Sequence, residues 1–221
     1  PCERIFIDTS GPYSQSLRRY KYWIKIVDDF SRKNWNYFAK AKSEVLRILE
    51  RFILMMKAQK KIVKYVRCDN AGEHMSEFQE VCRKYQIKPE YVAPYTPQQN
   101  GRAERRIAIV WQRAMVLMTH ANLTKEAQGY LWAEAVNTSA FLQDLMTTTR
   151  NSIPAMELWT GEKIVKWFVK LVQFGRKGFM LTENSSMKSK LKPKGTEVIM
   201  LGYAKDHGKG CYRVYKLNTK R

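Results

Sequence analysis

Residues 4–39 hold three β-rich runs in succession, and at Ser43 the spacing of the apolar residues changes to threes and fours. RIFIDTS and YKYWIKIVDDFS are rich in β-branched and aromatic residues, and GPYSQSLRR between them supplies Gly, Pro and Ser for a turn. NWNYFAKA resumes the alternation after the polar break SRK. Beyond Ser43, read as a helix cap, Val45, Leu46, Leu49, Phe52, Ile53 and Met56 recur on one face of a predicted helix of about four turns. A meander followed by a helix commits the chain to an α/β layer structure with an antiparallel first half. The rest continues the pattern. KIVKYVRCDNAGEH reads as a strand ending in a Gly-bearing turn, SEFQEVCRKYQI as a short amphipathic helix and PEYVAP as a fifth strand. After the loop YTPQQNG, a long helix places Ala103, Ile107, Val110, Ala114 and Leu117 on one face, and TKEAQGYLWAEAVNTSAFLQDLM forms another with Leu131, Ala135 and Leu142 inward.

Charge narrows the partner. Lys and Arg number 40 against 20 Asp and Glu, a net of +20 on 221 residues, which makes a polyanion the expected ligand and excludes an acidic binding tail. Half of that excess falls in residues 151–221, a third of the length. There NSSMKSKLKPKG is polar and basic, and TEVIMLGYAKDHGKGCYRVYKLN reads as a hairpin. The expected division is therefore a core of residues 1–150 and a small basic, β-rich extension of residues 151–221. No stretch suits a transmembrane helix, and PCERIFIDTS has neither an initiator Met nor a signal-peptide pattern, so the chain reads as a piece of something longer. Cys2, Cys68, Cys82 and Cys211 form no C-x-x-C pair, and with His74, His120 and His207 they lack zinc-finger spacing; buried free thiols at Cys68 and Cys82, in an intracellular protein with reduced thiols, are expected.

Three acids stand where their neighbours make them costly. Asp8 interrupts the apolar strand RIFID, Asp69 ends VKYVRC, and Glu104 lies on the long helix after a Gly-bearing loop. A carboxylate among apolar residues needs a cationic partner. Three from separate elements suit Mg²⁺ or Mn²⁺, which keep open positions for substrate phosphates. On spacing alone the alternatives stay open: Asp69-Asn70 could build an Asx-turn, Glu104 could pair with Arg105 or Arg106, and Asp28 and Asp29 are rival ligands at a turn between strands.

Asp8 with the GPY after it, Asp28-Asp29-Phe30-Ser31-Arg32, Arg67-Cys68-Asp69-Asn70-Ala71-Gly72-Glu73 and Pro94-Tyr95-Thr96-Pro97-Gln98-Gln99-Asn100-Gly101-Arg102-Ala103-Glu104-Arg105 closely resemble the integrase core of copia-type long-terminal-repeat retrotransposons. The similarity continues through Leu131-Trp132-Ala133-Glu134-Ala135, Pro154-Ala155-Met156-Glu157-Leu158-Trp159-Thr160-Gly161, Phe174-Gly175 and Leu201-Gly202-Tyr203. This resemblance implies an RNase H-like fold, a mixed five-stranded sheet with flanking helices. It also implies a D,D,E site of Asp8, Asp69 and Glu104, with 34 residues between the last two, one fewer than the family's usual spacing. It further implies two Mg²⁺ or Mn²⁺ ions when DNA is bound, strand transfer from a DNA 3′-hydroxyl with 3′-end processing as a second activity, homo-oligomers, and a nuclear site of action after a cytoplasmic particle stage. No membrane and no small-molecule substrate are expected. The family's upstream zinc-binding domain is not in these residues, so concerted integration by this piece is expected to be weak or absent.

The DNA contacts expected are Gln98, Gln99 and Asn100 in the loop, Arg102, Arg105 and Arg106 flanking Glu104, and Lys188, Lys190, Lys192 and Lys194 in the basic extension. Their bland counterparts are a helix-entry turn capped by Asn100, a solvated basic face and a nuclear-import or solubilising run. His74 reads as a turn residue, and Trp23, Trp35, Tyr37 and Trp111 as core. A DNA-binding relic without chemistry and a plain metal nuclease of the same fold are the rival functions.

Overall fold

The computed structural model describes residues 1–68, 75–91, 97–147, 152–181, 195–204 and 210–216, and for residues 97–106 the backbone alone. Strands β1 (Arg4–Ser10), β2 (Tyr22–Asp28) and β3 (Asn34–Ala39) pair antiparallel, as the meander predicts. Helix α1 (Val45–Ala58) then crosses the sheet to β4 (Tyr65–Cys68), which lies parallel to β1 on its other side. Helix α2 (Met75–Lys84) carries the chain to β5 (Lys88–Tyr91), parallel to β4. The sheet order is β3-β2-β1-β4-β5, and the fold is RNase H-like.

Alternation along the strands sorts their side chains between two layers. Ile5 and Ile7 of β1 and Ile24 and Ile26 of β2 face α1 and α2, where Leu49, Phe52, Met56, Phe78 and Cys82 complete one core. Trp23 of β2 faces the opposite way, into a second core with α3 (Pro97–His120) and α4 (Lys125–Leu145). Helix α3 packs on β1 and α4 on β3. The aromatics expected in the interior are there: Trp23 is buried, Trp35 and Tyr37 pack on the first core, and Trp111 stacks on Tyr13 with ring centroids 4.5 Å apart.

Two local expectations are corrected. Ser43 is not a cap, because a 3₁₀ turn at Lys42–Glu44 precedes α1 and Glu44 accepts from the backbone N–H groups of Lys40 and Ala41 at 2.8 and 3.0 Å. Those two bonds hold the Glu44 carboxyl below its usual range. Leu142 is half-buried rather than inward; Leu131 and Ala135 are inward as expected.

After α4 come two short helices, α5 (Ala155–Thr160) and α6 (Val165–Phe168), and a three-stranded antiparallel sheet of β6 (Lys177–Leu181), β7 (Gly195–Tyr203) and β8 (Tyr212–Lys216). The β7–β8 pair is the hairpin read from the sequence, and the turn at 205–209 lies outside the described residues. This sheet lies on α4. Ile199, Leu201, Tyr215 and the preceding Phe174 join the second core, Thr138 donates to the Leu201 carbonyl at 2.8 Å, and Arg213 pairs with the buried Glu134 at 2.7 Å. Gly175, at φ +79°, sits so close to α3 that a Cβ there would collide with the Ala121 side chain.

Cys68 and Cys82 lie in the core as expected, Cys2 is buried with them, and Cys211 is exposed. Burial, with Asp28 beside it, pushes the Cys2 thiol up to about 12, and burial pushes Cys82 to about 11. A thiol-reagent titration of the native protein is expected to label Cys211 at once and the other three only on unfolding. Rapid native-state labelling of more than one thiol per chain would contradict this packing.

Candidate active site

Asp8 occupies the β1 position that follows Ile7, so it projects from the face opposite to Ile5 and Ile7, toward the α3 layer. It is half-buried, and its Oδ1 accepts the Thr9 backbone N–H at 2.7 Å, which fixes the carboxylate against the strand. The parallel register pairs Ile7 with Cys68, the last residue of β4. Asp69 is therefore the next residue of the chain beyond the position level with Ile7, although its own placement lies outside the described residues. Glu104 is on α3, the helix that packs against β1, and its side chain is likewise outside the described residues. Among the described residues no three His, Cys, Asp or Glu side chains converge as a metal site. Carboxylates are the donors a hard divalent cation takes, and of the three expected from the sequence Asp8 is the one whose side chain is among the described residues.

The rival acids serve the fold. Asp28 is paired in register with Ile5, not with Asp8, and so lies on the other face and nearer the other end of the strand pair. It is fully buried and accepts from the Cys2 N–H at 2.6 Å and from the Ser31 N–H and hydroxyl at 2.7 and 2.6 Å. Asp29 accepts from Arg32 at 2.7 Å and lies 3.6 Å from Arg4. The turn between β2 and β3 uses both carboxylates.

The segment read as a DNA-contacting loop is in part helix. Helix α3 begins at Pro97, so Gln98, Gln99, Asn100 and Gly101 fall in its first turns, and Asn100 is not its cap. Proline favours this outcome, because its fixed φ and missing N–H suit the first helical position. Arg102, Arg105 and Arg106 follow on the same helix, and the side chains of all six candidates lie outside the described residues. So do His74, Lys188, Lys190, Lys192 and Lys194.

The sequence reading gave no role to Lys25. This residue is 2% exposed, in direct register with Asp8 across the β1–β2 pair and with Asn36 across the β2–β3 pair. Directly opposed residues of an antiparallel pair share a face, so the ammonium belongs to the Asp8 side of the sheet. Its Nζ lies 5.8 Å from the Trp23 ring centroid. The signal available from sequence was one Lys inside the apolar run YWIKIVD, one turn away from the strand that carries Asp8.

Residues 1–97 match the family described as Integrase core domain. The chain is 30% identical over 203 residues, 90% of its length, to the retrovirus-related Pol polyprotein from transposon TNT 1-94 of Nicotiana tabacum. It is 30% identical over 138 residues, 62% of its length, to that from transposon RE1 of Arabidopsis thaliana. It spans 15% and 9% of those two polyproteins. Among solved structures it is similar to a chain of a simian T-cell lymphotropic virus intasome (TM-score 0.56, 16% identity, 95% of this chain and 75% of that one). It is also similar to the catalytic core domain of BIV integrase (TM-score 0.50, 13% identity, 73% and 96%). At such identities these two likenesses concern the fold alone.

Proposed function

We propose, for a chain that belongs to the integrases of copia-type long-terminal-repeat retrotransposons, that it catalyses DNA strand transfer through Asp8, Asp69 and Glu104. A DNA 3′-hydroxyl oxygen attacks a phosphorus of target DNA, one P–O bond forms, and the bond to the target's 3′-oxygen breaks. The observation that carries this reading is the position of Asp8, on the α3 face of β1 and beside the end of β4. The three carboxylates would hold Mg²⁺ or Mn²⁺, two ions with DNA bound, whose charge supplies phosphoryl neutralisation and a lowered hydroxyl pKa. The protein's own part is to fix the donors. Thr9 N–H orients the Asp8 carboxylate, and the parallel β1–β4 pairing brings Cys68, the residue before Asp69, level with Ile7, the residue before Asp8.

Binding belongs to the basic residues. Arg102, Arg105 and Arg106, with Gln98, Gln99 and Asn100, lie in the first turns of the helix that carries Glu104, where phosphate contacts would register DNA against the acids. Lys188, Lys190, Lys192 and Lys194 would add further phosphate contacts from residues 151–221, which serve as a DNA-holding extension of the catalytic unit 1–150. The protein would work as a homo-oligomer on DNA in the nucleus, after a particle stage in the cytoplasm. No helix among the described residues is long and apolar enough to cross a membrane.

A labelled duplex carrying an element's terminal sequence, incubated with plasmid in Mg²⁺ or Mn²⁺, tests the reading. Joined product is the expected result. Cleavage without joining would make the chain a metal nuclease, and retention of DNA with neither product would make it a binding-only relative.

A further inference from the structure

Two buried carboxylates among the described residues have an opposite charge beside them: Asp144 has Lys33 at 2.6 Å, and Glu134 has Arg213 at 2.7 Å. Lys25 is as deeply buried, and the carboxylate directly across the strand pair from it is Asp8. Its other cross-strand neighbour, Asn36, already accepts the Trp23 indole N–H at 2.9 Å. The register thus places this lysine directly across from the carboxylate that the proposed reaction assigns to divalent metal.

We propose that Lys25 is a resident cation of the carboxylate site, a positioning residue that holds Asp8 in the metal-free protein and sets a threshold on metal loading. The inference rests on the reading of Asp8 as a metal ligand. Opposed side chains of an antiparallel pair have Cβ atoms about 5 Å apart. At that separation and an effective dielectric near 20, a unit positive charge lowers the affinity for a second cation by more than about tenfold. Lys25 therefore raises the metal concentration at which the site fills. With 2% exposure it has no surface from which to reach DNA.

Mn²⁺ binding, followed by electron paramagnetic resonance of the free ion, separates this role from catalysis. Lys25→Gln is expected to bind Mn²⁺ at least tenfold more tightly than the parent, and Lys25→Arg to stay within threefold of it. Asp8→Asn is expected to abolish the binding in every background. Lys25→Met, better suited to burial, serves if Lys25→Gln does not fold. Unchanged or weaker Mn²⁺ binding on removing the Lys25 charge, with binding still lost in Asp8→Asn, would overturn the proposal and leave the triad standing. Mn²⁺ binding that survives Asp8→Asn would overturn the triad, and this role with it.

Discussion

Asp8→Asn is expected to reduce strand joining by at least about a thousandfold while the protein still unfolds cooperatively. The size follows from what the carboxylate is asked to supply: metal-held charge at a transferring phosphoryl group is worth several kcal/mol, and each 1.36 kcal/mol is about a factor of ten in rate. The substitution is close to isosteric, and Asn can still accept from the Thr9 N–H that now bonds Oδ1 at 2.7 Å. What it removes is the negative charge, and with it the attraction for a divalent ion. Loss of joining with an intact unfolding transition is therefore the signature of a reacting site. A variant that joined DNA within tenfold of the parent's rate would remove Asp8 from the mechanism. Asp28→Asn provides the contrast, since Asp28 is bonded to the Cys2 and Ser31 backbone and to the Ser31 hydroxyl. Its cost should appear in stability.

The largest stability effect is expected from Asp144→Ala. Asp144 is fully buried near the end of α4, where it accepts from Lys33 Nζ at 2.6 Å, Asn34 N at 3.1 Å and Asn34 Nδ2 at 2.6 Å. Burial raises the pKa of this carboxyl, against the pull of Lys33 and Asn34. Truncation would strand an ammonium and two amide donors in the protein interior at once. Breaking a buried pair by removing one partner costs about 3–5 kcal/mol, which for a chain of this size lowers Tm by roughly 10 °C. Asp144→Asn combined with Lys33→Met removes both charges and leaves an acceptor for Asn34, so it should recover more than half of the loss. A thermal melt of Asp144→Ala within 3 °C of the parent would show that this network does not brace β3 against α4.

The sheet was legible because its signals are local. Strand alternation and the switch at residue 43 placed β1, β2, β3 and α1, and one carboxylate in an apolar strand marked Asp8. The start of α3 was misjudged because Gly101 and three polar residues read as loop, whereas Pro97 begins the helix. Helix α4 was harder. The six consecutive residues from Leu131 to Val136 are all buried, so a reading that assigns one inward face misses the cover on the other side. That cover comes from β7 and β8, some sixty to eighty residues later in the chain (Thr138 to Leu201, Glu134 to Arg213). Lys25 was overlooked for a related reason: its meaning depends on strand register, which the intervening turn determines and composition does not.

The docking of the second sheet on α4 bears on where this chain can be cut. Composition shifts at residue 150, but the hydrophobic interior does not end there: Phe174, Ile199, Leu201 and Tyr215 share one cluster with Trp23, Val110 and Trp132. A truncation after residue 150 would expose the outer side of α4 and leave Glu134 without Arg213, an adhesive face on an otherwise highly cationic particle. The shared interior runs to β8, and a cut that keeps it whole has to fall beyond that strand.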